Sequence, residues 1–279
     1  MILKPTKFRL PIKGHWGTKG LIGCWLFNDS PPLLGKTLDV SGNRNNGTLV
    51  GDTHVVPGKF GPCLSFDGAG DYVSLGDKDM FSFGNSVSDK PFSLLFWIKT
   101  GTLAADQTIV SKYLNTSPFS GEWDFQLFKT SGVLYVQCLD NSPTFRIKIT
   151  GSQVLAINTW YCVTFTYDGS GSQNGMNLYV NSIKDLAPTR AMDGSYVAMH
   201  NLTAAFEISA ALRDTAYVSY FNGLIDNAMI FNRELTASEA SQLYREPFCM
   251  FDRERIELWS AAMAAGPAPP LTSSVFGSL

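Results

Sequence analysis

One stretch near the end of the chain, residues 221–239, constrains the fold most; its sequence is FNGLIDNAMIFNRELTASE. The apolar run from Leu224 to Phe231 predicts a strand that is buried on at least one face. Asn222-Gly223 precedes this run and suits a backbone position with positive φ. Asp226 interrupts the run, where an unpaired carboxylate would be costly. We therefore expect a hydrogen-bond donor, an arginine or a metal ion beside Asp226.

A short helix is predicted directly after this strand. Thr236 and Glu239 have the spacing of a capping box, which predicts a helix that continues to Tyr244. Upstream, strand-like segments recur throughout residues 20–231, with clear alternation of apolar and polar residues at 123–128. No repeat of fixed period is present. The pattern therefore favours two antiparallel sheets packed face to face over a propeller or a solenoid.

Several segments resemble the strands and turns of the laminin-G-like, concanavalin A-like jelly-roll domains, in the order that the family has them. They include an opening strand, a D-x-S-G-N-x-N-x-G loop, inner strands and the closing strand and helix: residues 23–28, 39–49, 56–61, 64–68, 92–99, 159–169, 178–181 and 221–239. The resemblance implies an all-β fold, a two-sheet antiparallel jelly-roll sandwich. It predicts fold more sharply than activity, because this fold carries many unrelated functions.

The resemblance also suggests how the chain is divided. The laminin-G-like jelly-roll domain is expected at residues 20–246. An extended N-terminal arm is expected at residues 1–19, and a C-terminal helix with an extended tail at residues 247–279.

Composition disfavours several function classes. Charged residues make up 16% of the chain and the formal net charge is −2, so nothing global steers it to nucleic acid or to an acidic membrane. No run of about 18 apolar residues predicts a membrane span, and residues 1–7 lack the apolar core of a signal peptide. Five scattered cysteines favour buried thiols in a reducing compartment. A single bridge between Cys24 and Cys63 is the alternative.

Both ends carry apolar side chains that a solvated segment would not need. Residues 1–19 contain five basic residues and no acid. A solvated basic leader is one interpretation, and a strand laid on a neighbouring subunit is the other. Asp252–Ala265 predicts a second helix, and a Pro- and Ser-rich tail follows it. The candidate assembly residues are Phe8, Leu10, Ile12, Trp16, Trp259 and Phe276.

Glu122 and Asp124 alternate along one predicted strand, as the acids of retaining glycosidases do on this fold. The glycosidase pattern continues with a third acid, but Gln126 and Leu127 stand there. The chain also has no G-x-S-x-G turn and no phosphate-cradling glycine loop, and its three histidines are far apart. The sequence therefore predicts a protein that is not an enzyme.

Oxygen-bearing side chains near the first and last strands form a candidate calcium site. Calcium prefers carboxylate, amide and carbonyl oxygens, and members of the resembled family often bind calcium near these segments. The alternative is a hydrogen-bonded turn at residues 39–43 and backbone N–H donors to the acid in the last strand. The candidate ligands are Asp29, Asp39, Asn43, Asn45 and Asp226.

Aromatic residues in or beside loops are candidates for stacking on sugars. We select Tyr113, Trp123 and Tyr196 as carbohydrate-binding residues, and Phe119 and Tyr220 share the pattern. The alternative is that these rings belong to the core.

Taken together, these features favour a non-catalytic structural or adhesion protein. The odd cysteines, the lack of a leader and the apolar ends favour a virion component made in a host cytoplasm, such as a capsid decoration or tail-associated protein. A laminin-G-like domain with such a tail also resembles proteins found in bacteriophage genomes. Expected partners are other copies of itself, other virion proteins and glycans, without a membrane or specific nucleic acid. The alternative function is a calcium-dependent carbohydrate-binding, lectin-like module.

Overall fold

The computed structural model describes residues 4–5, 11–28, 35–115, 118–213 and 216–251. These residues form twenty β-strands, the helix α1 (Ala237–Arg245) and three short 3-10 helices. In chain order, the strands are β1 (Leu21–Trp25), β2 (Lys36–Thr37), β3 (Gly47–Val50), β4 (His54–Pro57), β5 (Pro62–Asp67), β6 (Tyr72–Gly76), β7 (Phe92–Thr100), β8 (Gln107–Lys112), β9 (Leu114–Asn115), β10 (Trp123–Leu127), β11 (Val133–Leu139), β12 (Arg146–Val154), β13 (Tyr161–Tyr167), β14 (Met176–Val180), β15 (Ile183–Lys184), β16 (Thr189–Asp193), β17 (Phe206–Ile208), β18 (Ala211–Arg213), β19 (Ala216–Val218) and β20 (Asn222–Phe231).

Two antiparallel sheets account for most of these strands. In the described chain, the eight-stranded sheet has the order β15-β14-β13-β7-β20-β5-β4, and β1 also pairs with β20. The nine-stranded sheet has the order β16-β12-β11-β10-β8-β17-β6-β3-β2. A small sheet, β19-β18-β9, completes the β structure, and its β18–β9 pair is parallel. The expected all-β, two-sheet sandwich is confirmed.

The main core lies between the two large sheets, and strand alternation explains its composition. On β10, Trp123, Phe125 and Leu127 belong to this core. Successive side chains of a strand point to opposite faces, so Asp124 and Gln126 point to the other face of the nine-stranded sheet. That face carries the polar side chains discussed below.

The predicted closing strand and helix are present. Gly223 at the start of β20 has φ 147°, and a Cβ added there would lie 2.2 Å from the Lys99 carbonyl oxygen. A side chain would therefore be excluded at this position both by strain and by contact. Helix α1 begins after Thr236, whose hydroxyl accepts from the Glu239 N–H, while the Glu239 carboxylate accepts from the Thr236 N–H. The capping box is confirmed.

A second apolar cluster covers the outer face of the eight-stranded sheet. Leu95 and Trp97 of β7 and Met229 of β20 point into it. Helix α1 contributes Leu243, and the segment after the helix contributes residues 248–251. This face of the sheet is therefore buried by the chain's own C-terminal elements.

The described part of the N-terminal arm also packs on this chain's own sandwich. The Ile12 N–H donates to the Met250 carbonyl oxygen at 2.7 Å, and Pro11 forms an isolated bridge with Phe251. Trp16 packs against the second apolar cluster. Trp16 is only partly buried there, and its role as an anchor for a neighbouring subunit stays a prediction. Phe8, Leu10, Trp259 and Phe276, with the second helix, lie outside the described residues.

No helix in the described part of the chain is long and apolar enough to cross a membrane. All five cysteines lie in the described residues, and none of them forms a disulfide, so the alternative bridge between Cys24 and Cys63 is absent.

Candidate functional site

Asp39 is the centre of a hydrogen-bonded turn. Its Oδ1 accepts from the N–H groups of Cys24 at 2.9 Å and Ser41 at 2.8 Å. Its Oδ2 accepts from the Ser41 hydroxyl at 2.8 Å and the Asn45 N–H at 2.9 Å. The Asn43 amide nitrogen donates to Ser41 Oγ at 3.0 Å. Turn chemistry thus accounts for Asp39, Asn43 and Asn45, and calcium binding by this group stays a prediction.

Asp226 is fully buried and has its own set of donors. Its Oδ2 accepts from the N–H groups of Lys59 at 2.7 Å and Phe60 at 3.1 Å. Its Oδ1 lies 2.8 Å from the Lys4 ammonium. The structure therefore places an ammonium beside this carboxylate, and calcium binding by Asp226 stays a prediction. Asp29 lies outside the described residues, and within the described residues no three His, Cys, Asp or Glu side chains are grouped as a metal site.

The three aromatic residues selected from the sequence are buried. Trp123 is fully enclosed in the main core. The Tyr196 hydroxyl donates to the buried Asp89 carboxylate at 2.7 Å, and the Tyr113 ring packs edge-on against Phe119. This corrects the prediction that these rings stack on a sugar, because none of them presents a face to solvent.

The acids Glu122 and Asp124 are enclosed as well. Glu122 Oε1 lies 2.6 Å from the Lys112 ammonium and accepts from the Leu202 N–H at 2.9 Å. Burial raises the pKa of Glu122 to about 7, and the attraction of Lys112 opposes this shift. Asp124 accepts from the Gln137 amide at 2.7 Å. Glycoside hydrolysis needs two carboxyl groups that flank a substrate, and these two are sealed off by their neighbours.

One flank of the polar face of the nine-stranded sheet is accessible. Here Asp193 Oδ2 lies 2.6 Å from the Lys148 ammonium and 2.8 Å from Arg146 Nε. Hydrogen bonds from Lys148 and Arg146 lower the pKa of Asp193. Arg146 Nη1 also donates to the side-chain amide oxygen of Gln137, Oε1, at 3.0 Å. Two cationic side chains thus share one carboxylate, so these three groups offer hydrogen bonds and keep one net positive charge.

Loops at one end of the sandwich, after β5, β7 and β10 and before β20, form an open polar pocket of about 280 Å³. Tyr220 is one of its lining residues, and its ring is tilted against Tyr72 with ring centres 6.4 Å apart. Burial raises the pKa of Tyr220, so its hydroxyl is a neutral donor and acceptor. The Asp106 carboxylate accepts from the Lys129 N–H at 2.8 Å. The lining residues are Gly68, Ala104, Ala105, Asp106, Lys129, Ser219 and Tyr220; we call this the Tyr220 pocket.

Two polar atoms behind the Tyr220 pocket lack a partner among the described residues. Thr108 and Gln126 face each other across β8 and β10. The Thr108 hydroxyl and the Gln126 amide nitrogen are both buried without a hydrogen bond. The Thr108 N–H donates to the carbonyl oxygen of Ser219 at 2.5 Å, so this pair lies directly behind the pocket lining. Unsatisfied buried polar groups are uncommon, and a bound water or ion is one of their physical explanations.

The sequence marks Tyr220 only as one of several loop aromatics and gives no signal for Asp106 and Lys129. All three residues lie in loops at the ends of different strands, and no local spacing connects them. The alternation on β10 did contain one usable signal, since Gln126 lies two residues from Asp124 and therefore on the same polar face.

Comparison with solved structures gives the same fold. Domain 4 of AbnA, an extracellular arabinanase from Geobacillus stearothermophilus in complex with arabinotriose, matches with a TM-score of 0.56 and 20% identity, over 80% of this chain and 98% of that one. The binding domain of Paraclostridial Mosquitocidal Protein 1 matches with a TM-score of 0.60 and 17% identity, over 81% and 52%. The binding domain of Botulinum Neurotoxin DC in complex with SialylT matches with a TM-score of 0.56 and 18% identity, over 82% and 52%.

This chain thus spans nearly all of the arabinanase domain but only about half of each toxin binding domain. No match was found among curated proteins. The model of the concanavalin A-like lectin/glucanases superfamily matches residues 67–241, which is more than half of the chain. These residues run from the end of β5 through β20 and into α1. The chain belongs to the concanavalin A-like lectin/glucanases superfamily.

Proposed function

We propose that this chain is a non-catalytic binding module that recognises carbohydrate at the Tyr220 pocket. The pocket itself carries the proposal. Its volume of about 280 Å³ is close to the lower end of the range for small-molecule sites, roughly 300–1,000 Å³. Such a space suits one or two sugar rings at the end of a chain.

The lining matches the chemistry of a sugar. A sugar ring has an apolar C–H face and a rim of hydroxyls. The Tyr220 ring offers an apolar surface for the first, while the Asp106 carboxylate and the exposed Lys129 ammonium offer an acceptor and a donor for the second. The adjacent Thr108 and Gln126 groups add hydrogen-bonding capacity directly behind the lining.

The similar structures support the same class of function without fixing the ligand. One is an arabinanase domain in complex with arabinotriose, and another is a toxin binding domain in complex with SialylT. The enclosed Glu122–Lys112 pair supports the non-catalytic part of the proposal, because a general acid has to reach the glycosidic oxygen. We therefore propose adhesion to glycan and not its cleavage.

A glycan array probed with the wild-type protein tests the proposal, with Tyr220→Ala as the site variant. The matched control is Phe145→Ala, because Phe145 is also a partly exposed aromatic residue. It lies beside Gly194 in the turn between β11 and β12, at the opposite end of β11 from the pocket residue Lys129. We expect specific spots that Tyr220→Ala loses and Phe145→Ala keeps. A silent array, or spots that Tyr220→Ala retains, would contradict the proposal. Repeating the array with a chelator tests the calcium dependence predicted from the sequence.

We further propose that the module works as part of an assembly of copies, of the virion type predicted from the sequence. One observation favours this: the Ile12 side chain is 38% exposed, although the backbone at Ile12 and Pro11 pairs with Met250 and Phe251. An exposed apolar side chain on a fixed backbone can contact another subunit. Sedimentation of Ile12→Asp and of wild type tests this. If wild type is an oligomer and Ile12→Asp sediments in the same way, Ile12 is not part of the interface.

A further inference from the structure

The Lys4 side chain places a buried positive charge beside β20. This side chain is 3% exposed. The ammonium lies 2.8 Å from Asp226 Oδ1 and 2.6 Å from the Asp226 carbonyl oxygen, and it also contacts the Pro62 carbonyl oxygen. A lysine ammonium carries three N–H donors, and these three oxygens surround it.

The backbone around Lys4 is attached at the same place. The Lys4 N–H donates to the Phe60 carbonyl oxygen at 3.3 Å, and the Asn28 amide donates to the Pro5 carbonyl oxygen at 2.9 Å. Residues 4–5 therefore join three segments: the loop after β1, the turn between β4 and β5, and β20. We call this arrangement the Lys4 latch.

The turn between β4 and β5 is shaped to meet Asp226. The N–H groups of Lys59 and Phe60 donate to Asp226 Oδ2. A Cβ added to Gly58 would lie 2.5 Å from the same oxygen, so only glycine permits this approach. The carboxylate is thus held in place from one side, and its Oδ1 is directed at Lys4.

The oxygens around the ammonium are of the kind that hard cations prefer: a carboxylate and backbone carbonyls. A further amide lies next to them, since Asn227 Nδ2 is 3.5 Å from Asp226 Oδ1. Asn227 Oδ1 is buried and has no hydrogen-bond partner among the described residues. This place in the fold therefore has the chemistry of a cation site.

We propose that Lys4 is the resident cation of this site. The chain supplies its own ammonium where a dissociable metal ion would otherwise neutralise Asp226, and the latch joins the first described residues to the last strand of the sheet. The site accepts a divalent cation only when Lys4 is removed. This departs from the calcium role that the sequence predicted for Asp226.

Thermal unfolding of the full chain tests this, in chelator and in millimolar calcium chloride, for wild type, Lys4→Ala and the control Lys13→Ala. Lys13 is an exposed lysine of the same arm. We expect wild type and Lys13→Ala to melt at the same temperature in both solutions. Lys4→Ala should melt lower in chelator, on the order of 10 °C, because it leaves a buried carboxylate without its cation. Calcium should recover part of that loss, and calcium titration by calorimetry should show binding to Lys4→Ala alone.

Three results would overturn the proposal: a melting temperature that responds to chelator in an Asp39→Ala protein that keeps Lys4, a Lys4→Ala protein as stable as Lys13→Ala, or a Lys4→Ala protein indifferent to calcium. If Lys4→Ala does not fold, the pair Lys4→Met and Lys4→Met/Asp226→Asn decides. Recovery of folded protein in the double variant supports the latch, because the uncompensated charge is then gone. A double variant as unstable as the single one rejects it.

Discussion

The Lys112 ammonium lies 2.6 Å from Glu122 Oε1, and both side chains are fully buried. The same ammonium contacts Asp77 at 2.8 Å and the carbonyl oxygens of Leu202 and Ala204. This one charge therefore connects β8, the residue before β10 and the segment that leads into β17. The acid that resembled a glycosidase residue in the sequence is part of a structural ion pair.

Lys112→Met should lower the free energy of unfolding by about 3–5 kcal/mol, because the buried Glu122 carboxyl must then take up a proton or remain an uncompensated charge, and the carbonyl oxygens of Leu202 and Ala204 lose their donor. Lys148→Met is the control: its pair with Asp193 is partly exposed and should cost about 1 kcal/mol or less. Urea unfolding measures both. The double variant Lys112→Met/Glu122→Gln should lose less than the two single losses added together, and simple additivity would show that the pair is not coupled.

Glu122 should make stability depend on pH. Burial raises its pKa in the folded protein from an ordinary value of 4.5 to about 7. Between these values the folded state binds more protons than the unfolded state, so the contribution of Glu122 is present below about pH 4.5 and is lost as pH rises through about 7. Urea unfolding at about pH 5 and about pH 8 should therefore show a larger loss for wild type than for Glu122→Gln. Equal losses would contradict the raised pKa.

Asp39→Ala should destabilise the sandwich by about 2–3 kcal/mol, because the buried N–H groups of Cys24 and Asn45 lose a charged acceptor. Asp52→Ala, at an exposed acid, should change the unfolding free energy by less than about 0.5 kcal/mol. Measurement with and without calcium separates the two interpretations of this turn. A loss that is equal in both solutions supports the hydrogen-bonded turn, whereas a loss confined to calcium-containing buffer supports a metal site.

Alkylation of the native protein should modify Cys249 first. It is half-buried, whereas the other four cysteines are buried. Burial raises the pKa of Cys63 and of Cys162 to about 12, which removes the reactive thiolate at neutral pH. Mass spectrometry after a short iodoacetamide pulse should find one modified thiol, and none in Cys249→Ser. Early labelling of Cys63 would indicate that the strand β5 opens locally.

Much of the fold could be predicted from the sequence. The apolar run, Gly223 and the capping box placed β20 and α1 correctly because each depends on residues close in the chain. The cost of burying Asp226 predicted that it must have a partner. The identity of that partner could not be predicted, because Lys4 is 222 residues away from Asp226 in the chain and only the folded sheet brings Lys4 and Asp226 together.

The candidate site at the Tyr220 pocket was harder to predict from the sequence for a related reason. Alternation on β10 indicates that Trp123 shares a face with Phe125 and Leu127. It therefore predicts a core position for Trp123 better than the nearness of Trp123 to a loop predicts a sugar-binding role. The Tyr220 pocket has no such signal, since Asp106, Lys129 and Tyr220 come from three connections between strands. Their proximity is a property of the sheet order and not of any motif.

The position of β20 has a consequence for how the protein is made. This strand lies between β7 and β5, and β1 pairs with it as well, so that Trp25 is opposite Ala228. Until residue 231 has left the ribosome, β5 and β7 keep unpaired edges, which are templates for association with other chains. Pairings this distant in sequence form slowly, typically in milliseconds to seconds for β-rich domains. Among the described residues β20 is the last strand to be synthesised, and it closes the sheet, so nascent chains that stall before it should be the ones that aggregate.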